Sequence, residues 1–551
     1  MRAPSEKPSP IPAFERRTAG FILLGFLLVI SLPYLIAPLI FPSNVVWGGL
    51  LGSADDQNVH LMWARQARDG AFFFRDQFTT EGLISGERAL FFNILPALMG
   101  WLSRLTTLDV VFPYHFLRVA LAGWALWQFH QLALAATNNE EKWSRARILS
   151  LFLIAFSTGA GILASVPGFS RFIFIDRPDV NFPLMPEAFF ALSAFAYPLN
   201  IASFGLLALI FRKVIEKQDA PIAFVAALLL SNIHTYDALP LILTLVIWLG
   251  WKRSGAATVG AAIVGALIPI GYQFLVFRGS EEFRIKALTL TLPPDILSLL
   301  LSFAPLLILA AFGYKKWREL PATALLLIWT IATFVLVYAP VFSFARKMLE
   351  GVQIPLVLLA GVGLSELLSK IAAAPARKTA AAGVLGVLAL SPLYYLGWIW
   401  NNTVENNASR IGVFMPPLAL SRGDADALKA ISAQPDQGVV LCFPYVGSYV
   451  PRSTGKFTYA GHWAETLHFF DKEHPEFAKF PQVLRFYNGG MSSEEALKFL
   501  KDNKIRWVID GQYEKGAAQG LSVARSLGLS PIFTGGDAQN GNTTVYAVPA
   551  A

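Results

Sequence analysis

Two adjacent carboxylates, Asp55 and Asp56, stand in SADDQNVHLMWARQARDG (53–70), just beyond the first long apolar segment. A carboxylate there can reach a water-filled cavity and a lipid headgroup at once. It is the kind of base that takes the proton of a hydroxyl acceptor when held within hydrogen-bonding reach of the attacking oxygen. An ordinary helix N-terminus also favours Asp, and the two roles are compatible. Asp176 and Asp179 lie in a later loop that ends at Glu187, an ionisable residue at a span boundary. Burying such a group is costly enough to suggest a function, although a helix dipole would satisfy it too.

His234 and Asp237 in SNIHTYD (231–237) are spaced to meet one ligand or to cap a tight turn. Arg346 and Lys347 in SFARKMLEG (343–351) suit a phosphate, which Arg grips in bidentate fashion and Lys as a point charge. Arg278, Arg284 and Lys286 could assist them. The competing reading pairs these basic groups with Glu350, Glu281 and Glu282. A His with several carboxylates can hold a divalent cation, so a cation stays open, but no spacing assigns a metal ligand.

The elements that must position these groups are set by composition. The 551 residues have a mean hydropathy of +0.50, 54% are apolar and only 15% charged, against roughly 25% charged in soluble domains. This is the composition of a polytopic membrane protein. Segments long enough to embed fall at about 20–41, 109–136, 146–166, 187–211, 219–233, 237–251, 255–277, 294–313, 320–342, 352–370 and 378–400. The segment 88–104 is short and holds Pro96. If it lies in the interface, the basic clusters at 138–147, 212–217, 251–253, 314–319 and 369–378 share the side of Arg16 and Arg17. If it spans, all five clusters break the positive-inside tendency.

The sequence therefore predicts a cytoplasmic tail (1–19), a transmembrane domain (20–401) of about eleven helices, and an extracytoplasmic C-terminal domain (402–551). Juxtamembrane helices are expected at about 57–69 and 88–104. In the first of these, Val59, Met62, Trp63 and Ala67 share one side, while His60, Arg65, Gln66 and Arg68 lie largely elsewhere, as in a helix lying on a membrane surface. All the candidate groups named above fall on the exported face.

Past residue 402 the pattern becomes that of a soluble α/β domain. Helices are expected at Asp424–Ser432, Ser493–Asp502 and near Ala517–Leu527. Strands are expected at Gly438–Phe443 and Ile505–Ile509, and a hairpin is expected from Ile532–Thr534 to Thr543–Val548.

The net charge of +8 is distributed beside spans and is not interleaved with aromatics on a soluble module, so it records orientation and not nucleic-acid binding. The single cysteine, Cys442, excludes an intramolecular disulfide and Cys-based metal binding, and its apolar neighbours place it in a core. There is no P-loop, dinucleotide fingerprint or GxSxG elbow. The chemistry must then run on a substrate that is already activated, and outside the cytoplasm a lipid-phosphate donor fits.

In three features, taken in order, the chain resembles the GT-C superfamily of polyprenyl-phosphate-dependent glycosyltransferases, which includes protein O-mannosyltransferases, aminoarabinose transferases and oligosaccharyltransferases. An acidic pair follows the first span and leads into a juxtamembrane helix. A second amphipathic piece, 88–104, precedes the second span, and Asp176-Arg177-Pro178-Asp179 forms a second acidic motif between the third and fourth spans.

The resemblance implies an inverting transfer of a sugar from a polyprenyl-phosphate or polyprenyl-diphosphate carrier to a saccharide, lipid or protein hydroxyl. Asp55 would be the acceptor's base, though Asp56, where many members have Glu, leaves the choice open. Asp176 and Asp179 would position acceptor or metal, and Arg346 and Lys347 would contact donor phosphate. A flippase for a lipid-linked saccharide would instead need charges deep in spans and inverted repeats, which the sequence lacks. A non-catalytic glycan-binding scaffold is the third reading.

Overall fold

The computed structural model describes residues 11–52, 54–160, 163, 186–253, 255–406, 416–471, 478–518, 522–537 and 541–549. The chain forms two compact units. One comprises Met1–Leu32, Phe116–Tyr272 and Leu290–Trp398, the other Pro33–His115, Gln273–Thr289 and Ile399–Ala551.

Five helices are long and apolar enough to cross a membrane by length and composition: Ala13–Ile40, Pro198–Glu216, Ala256–Gly279, Ala345–Ser369 and Ala374–Val404. Shorter apolar helices cover Ala220–Ile233, Ile296–Phe312 and Thr323–Val337. Every apolar segment expected from the sequence overlaps a helix, including Val111–Ala136, Ser144–Phe156 and Ala238–Lys252. The architecture is that of an integral membrane protein.

In the first unit the helix Gln353–Ser369 is apolar almost all round and buried along most of its length, as a core helix must be. Gly363 and Gly361 permit this. A Cβ on Gly363 would meet the Leu309 carbonyl oxygen, and one on Gly361 the Ser150 hydroxyl at 2.0 Å. Small residues let apolar helices approach backbone to backbone.

Arg147 at the start of Ser144–Phe156 holds Glu15 through Nε to Oε1 at 2.7 Å and Nη2 to Oε2 at 2.6 Å, both side chains buried. This bidentate pair fixes the beginnings of two helices at one end of the unit.

The second unit is built on a five-stranded sheet in the order β4-β3-β5-β7-β6. The strands are β3 (Val439–Leu441), β4 (Phe457–Thr458), β5 (Ile505–Asp510), β6 (Ser530–Asp537) and β7 (Gly541–Ala547). Strand β3 runs parallel to both neighbours, and β5, β7 and β6 pair antiparallel. Alternation along β3 sends Val439 and Leu441 into one core and Val440 and Cys442 into another, so the sheet is covered on both faces. The thiol of Cys442 is fully buried, as expected.

A small ribbon joins β1 (Val45–Trp47) antiparallel to β2 (Ala419–Ser421). The helix Arg422–Ser432 follows directly, capped by the Ser421 hydroxyl accepting from the Asp424 amide. Ser493–Asp502 forms with the predicted boundaries, capped by Ser492. The expected helix near 517–527 is instead two short helices, Gln512–Ala517 and Val523–Ser526.

Candidate active site

The helix Ala54–Arg68 begins with the acidic pair in its first turn. It packs against the helix Ile94–Thr106, which starts later than the expected 88 because Asn93 caps it, accepting from the Leu95 amide. Gly100 sits at the crossing, where a Cβ would lie 2.3 Å from the Ala64 carbonyl oxygen.

The amphipathic surface helix read from the sequence is corrected in one respect: polar residues of Ala54–Arg68 are buried with the apolar ones. Gln57 donates to the Leu51 carbonyl at 2.7 Å, Gln66 to the Arg75 carbonyl at 2.8 Å, and Asn58 to the Ser448 hydroxyl at 3.1 Å. The helix is thus enclosed by protein on both faces and not laid on a membrane by one.

Beyond β4 the chain runs Tyr459-Ala460-Gly461-His462-Trp463, and this loop reaches the acidic pair. It is locked to the segment after the acidic helix: the Thr458 amide donates to the Gln77 carbonyl at 2.9 Å and the Thr466 hydroxyl to the Phe78 carbonyl at 2.7 Å. His462 Nε2 then lies 3.9 Å from Asp55 Oδ2 and 3.7 Å from Asp56 Oδ1. Trp463 Nε1 donates to Asp55 Oδ2 at 3.3 Å.

The two carboxylates are not equivalent. The Asp55 side chain is 4% exposed and that of Asp56 60%. Burial first, and the neighbouring Asp56 charge second, push the Asp55 carboxyl up to about 6. Its Oδ1 is buried without a hydrogen-bond partner among the described residues. A carboxylate tuned toward neutral pH with a free lone pair is what proton transfer at that pH needs.

The tautomer of His462 follows from its other nitrogen. Nδ1 accepts from the Ala464 and Glu465 amides, each at 3.1 Å, so the ring's proton sits on Nε2, facing the carboxylates. Burial opposes a charged ring, while the Asp56 and Asp55 carboxylates outweigh burial and raise its pKa. Against a second proton stand the two amides, because an Nδ1–H would point at two N–H donors.

Asp55, Asp56 and His462 have donor atoms near enough to one another for a cation. The same hydrogen bonds argue against it. A ligating Nε2 needs Nδ1 to donate to an acceptor, and here Nδ1 accepts.

A buried ionic network lies in the same unit. Lys286 contacts Asp76, lies 2.8 Å from Glu465 Oε2, and is pulled below the usual lysine range by burial, with Glu465 opposing. Lys479 meets Glu81 at 2.8 Å and the Thr79 and Thr80 hydroxyls. Burial, with Glu87, Glu81 and Glu465 adding to it, drives Glu282 up to about 8. The phosphate role considered for Lys286 thus gives way to the ion-pair alternative. Arg284 likewise pairs with Glu281 at 3.0 Å, and Arg278 stacks over Phe274. A cleft of about 490 Å³ in this unit is lined by Trp47, Asp109, Lys429, Tyr449 and Arg452 and includes none of the candidate residues.

The remaining predicted residues belong to the first unit. His234, Asp237 and Glu350 meet there: His234 Nδ1 is 3.0 Å from Asp237 Oδ2 and 3.3 Å from Glu350 Oε2. Arg346 lies 3.4 Å from Glu187 Oε1, not against Glu350, and Lys347 stands over the Tyr236 ring at 4.7 Å. Asp176 and Asp179 lie outside the described residues. Sequence reasoning missed His462, Trp463 and the part Glu350 plays. The polar residues of GHWAETLH in the C-terminal α/β domain were the one available signal.

No family model and no curated protein matches the sequence. Solved structures do. The apo oligosaccharyltransferase of Archaeoglobus fulgidus is 12% identical, with 91% of this chain and 70% of that chain covered at a TM-score of 0.52. Arabinofuranosyltransferase AftD from Mycobacteria is 13% identical at a TM-score of 0.56, over 97% of this chain and 40% of that longer one. ArnT from Cupriavidus metallidurans bound to undecaprenyl phosphate is 13% identical over 96% of this chain and 98% of that chain, at a TM-score of 0.48. At these identities the likeness concerns the fold, which is the GT-C-like fold expected from the resemblance.

Proposed function

We propose that the protein is an inverting membrane glycosyltransferase that moves a sugar from a polyprenyl-phosphate or polyprenyl-diphosphate carrier to a hydroxyl acceptor at the extracytoplasmic face. The observation that carries this reading is Asp55: buried, raised to about 6, and with one carboxylate oxygen free of hydrogen bonds. The two solved structures of the same fold, named as an oligosaccharyltransferase and an arabinofuranosyltransferase, support a glycosyl-transfer chemistry.

In this mechanism the acceptor oxygen attacks the anomeric carbon as its proton passes to Asp55. The bond from that carbon to the carrier's phosphate oxygen breaks, and the phosphate leaves with the electron pair. The Nε2–H of His462 and the indole N–H of Trp463 face the Asp55 carboxylate and favour its ionised form before the proton arrives. Arg346 and Lys347 are assigned to donor phosphate, Arg346 exchanging its contact with Glu187 for a bidentate one. Asp176 and Asp179 are assigned to acceptor positioning on the resemblance alone.

The test is purified protein in liposomes, supplied with a panel of synthetic polyprenyl-phosphate sugars and hydroxyl acceptors. Product and free polyprenyl phosphate should appear in equal amounts. Movement of intact lipid-linked sugar between leaflets without cleavage would return the flippase reading in its place.

A further inference from the structure

In the first unit two short turns, Thr235–Asp237 and Ala345–Leu349, pack together and gather His234, Asp237 and Glu350. The Asp237 and Glu350 side chains are completely buried and that of His234 is 13% exposed. None of the four carboxylate oxygens has a hydrogen-bond partner among the described residues, and neither approach to Nδ1 has hydrogen-bond geometry. One imidazole nitrogen can protonate or hydrogen-bond only part of this set. Two buried carboxylates left without donors are strongly disfavoured.

The basic side chains next in sequence are engaged elsewhere, Arg346 with Glu187 and Lys347 over Tyr236. One donor atom from each of the three residues lies within 4.8 Å of the others. A single ion at metal–ligand distances of about 2.0–2.6 Å from each fits that spacing.

We propose that His234, Asp237 and Glu350 bind one divalent metal cation, whose two charges the two carboxylates balance while the imidazole stays neutral. A mixed set of carboxylate oxygens and one imidazole nitrogen suits Mn²⁺ or Zn²⁺. The ion ties the 234–237 turn to the 345–350 turn and stabilises the folded first unit by binding it in preference to the unfolded chain. It shares no residue with the Asp55, Asp56 and His462 set, where the hydrogen bonds to Nδ1 of His462 oppose metal ligation.

The experiment uses the full chain in detergent, purified without a histidine tag, stripped with chelator and titrated with Mn²⁺ alone. Electron paramagnetic resonance should report a tightly bound Mn²⁺ whose spin-echo modulation carries an imidazole nitrogen coupling. His234→Gln should erase that coupling. Glu350→Gln should weaken binding at least about 100-fold, more than loss of an outer partner would, and Asp55→Asn should leave the signal in place. No Mn²⁺ bound by the unaltered protein at millimolar concentration, or a nitrogen signal surviving in His234→Gln, overturns the proposal. If Glu350→Gln does not fold, the melting temperature of the unaltered protein decides: it should rise with Mn²⁺, and no rise overturns the site.

Discussion

Substituting His462→Asn should move the acid limb of the transfer rate upward in pH while leaving the alkaline plateau almost unchanged. Asparagine can still accept from the Ala464 and Glu465 amides through a local turn, so the loop is held, but the imidazole N–H that faces Asp55 is lost while the Trp463 indole N–H remains. A hydrogen bond to a charged group contributes about 1.5–3 kcal/mol at ideal distance. The His462 Nε2 is 3.9 Å from Asp55 Oδ2, beyond hydrogen-bonding distance, so its N–H acts on the carboxylate through space, and about 1 kcal/mol, or roughly 0.7 of a pH unit, is the working figure.

The unaltered enzyme should lose half its rate near pH 6, where Asp55 titrates, and the variant near pH 6.7 by this ~0.7 increment. At pH 6 the variant should run about threefold slower, and above pH 8 the two should agree. The assay is initial transfer rate from pH 5 to 9, with melting curves as the control for folding. A limb that stays in place, or moves to lower pH, refutes the role given to His462. A loss of rate equal at every pH would make it a purely structural residue.

Other perturbations follow from the same geometry. Glu282 keeps in the folded protein a proton that the unfolded chain releases above its ordinary pKa of 4.5, and gives it up only near 8. Its burial therefore costs stability that grows as pH rises from about 5 to 8 and then levels, by a few kcal/mol. Glu282→Gln should flatten this decline in melting temperature, matching the unaltered protein at pH 5 and exceeding it at pH 8; parallel profiles would reject the assignment. Gly100→Leu should cost about 1–3 kcal/mol or more, because no side chain fits against the Ala64 carbonyl, and an unchanged melting temperature would contradict the packing described. Arg346→Ala should weaken donor binding at least about tenfold, as loss of a charge-assisted contact does, with acceptor KM unchanged. An unchanged donor affinity would leave Arg346 as the partner of Glu187 alone.

The membrane helices were legible because hydropathy acts locally: a run of apolar residues must embed wherever its neighbours lie. Ser493–Asp502 was legible for a similar reason, since Ser492 and the acidic first turn mark a start without reference to the rest of the chain. The pairing of β1 with β2 was not, because three-residue strands separated by most of the sequence carry no periodic signal. Gln66 read as part of the polar side of its helix but is buried, and like Gln57 and Asn58 it is satisfied by a specific partner that spacing cannot supply.

The candidate site divides in the same way. Asp55 and Asp56 stood out as neighbours in sequence, whereas His462 and Trp463 come to them from about four hundred residues away. Glu350 entered the competing reading as a counter-charge to the basic groups near it in sequence. The turn geometry sends it to His234 and gives Arg346 to Glu187.

The central claim is that Asp55 takes the acceptor's proton. It is tested most directly by single-turnover sugar transfer in Asp55→Asn, with donor binding measured on the same preparation. The account predicts donor affinity within a few-fold of the unaltered protein and a transfer rate lower by about 10²–10⁴, the range general-base catalysis contributes. Transfer at a rate close to that of the unaltered protein would contradict it.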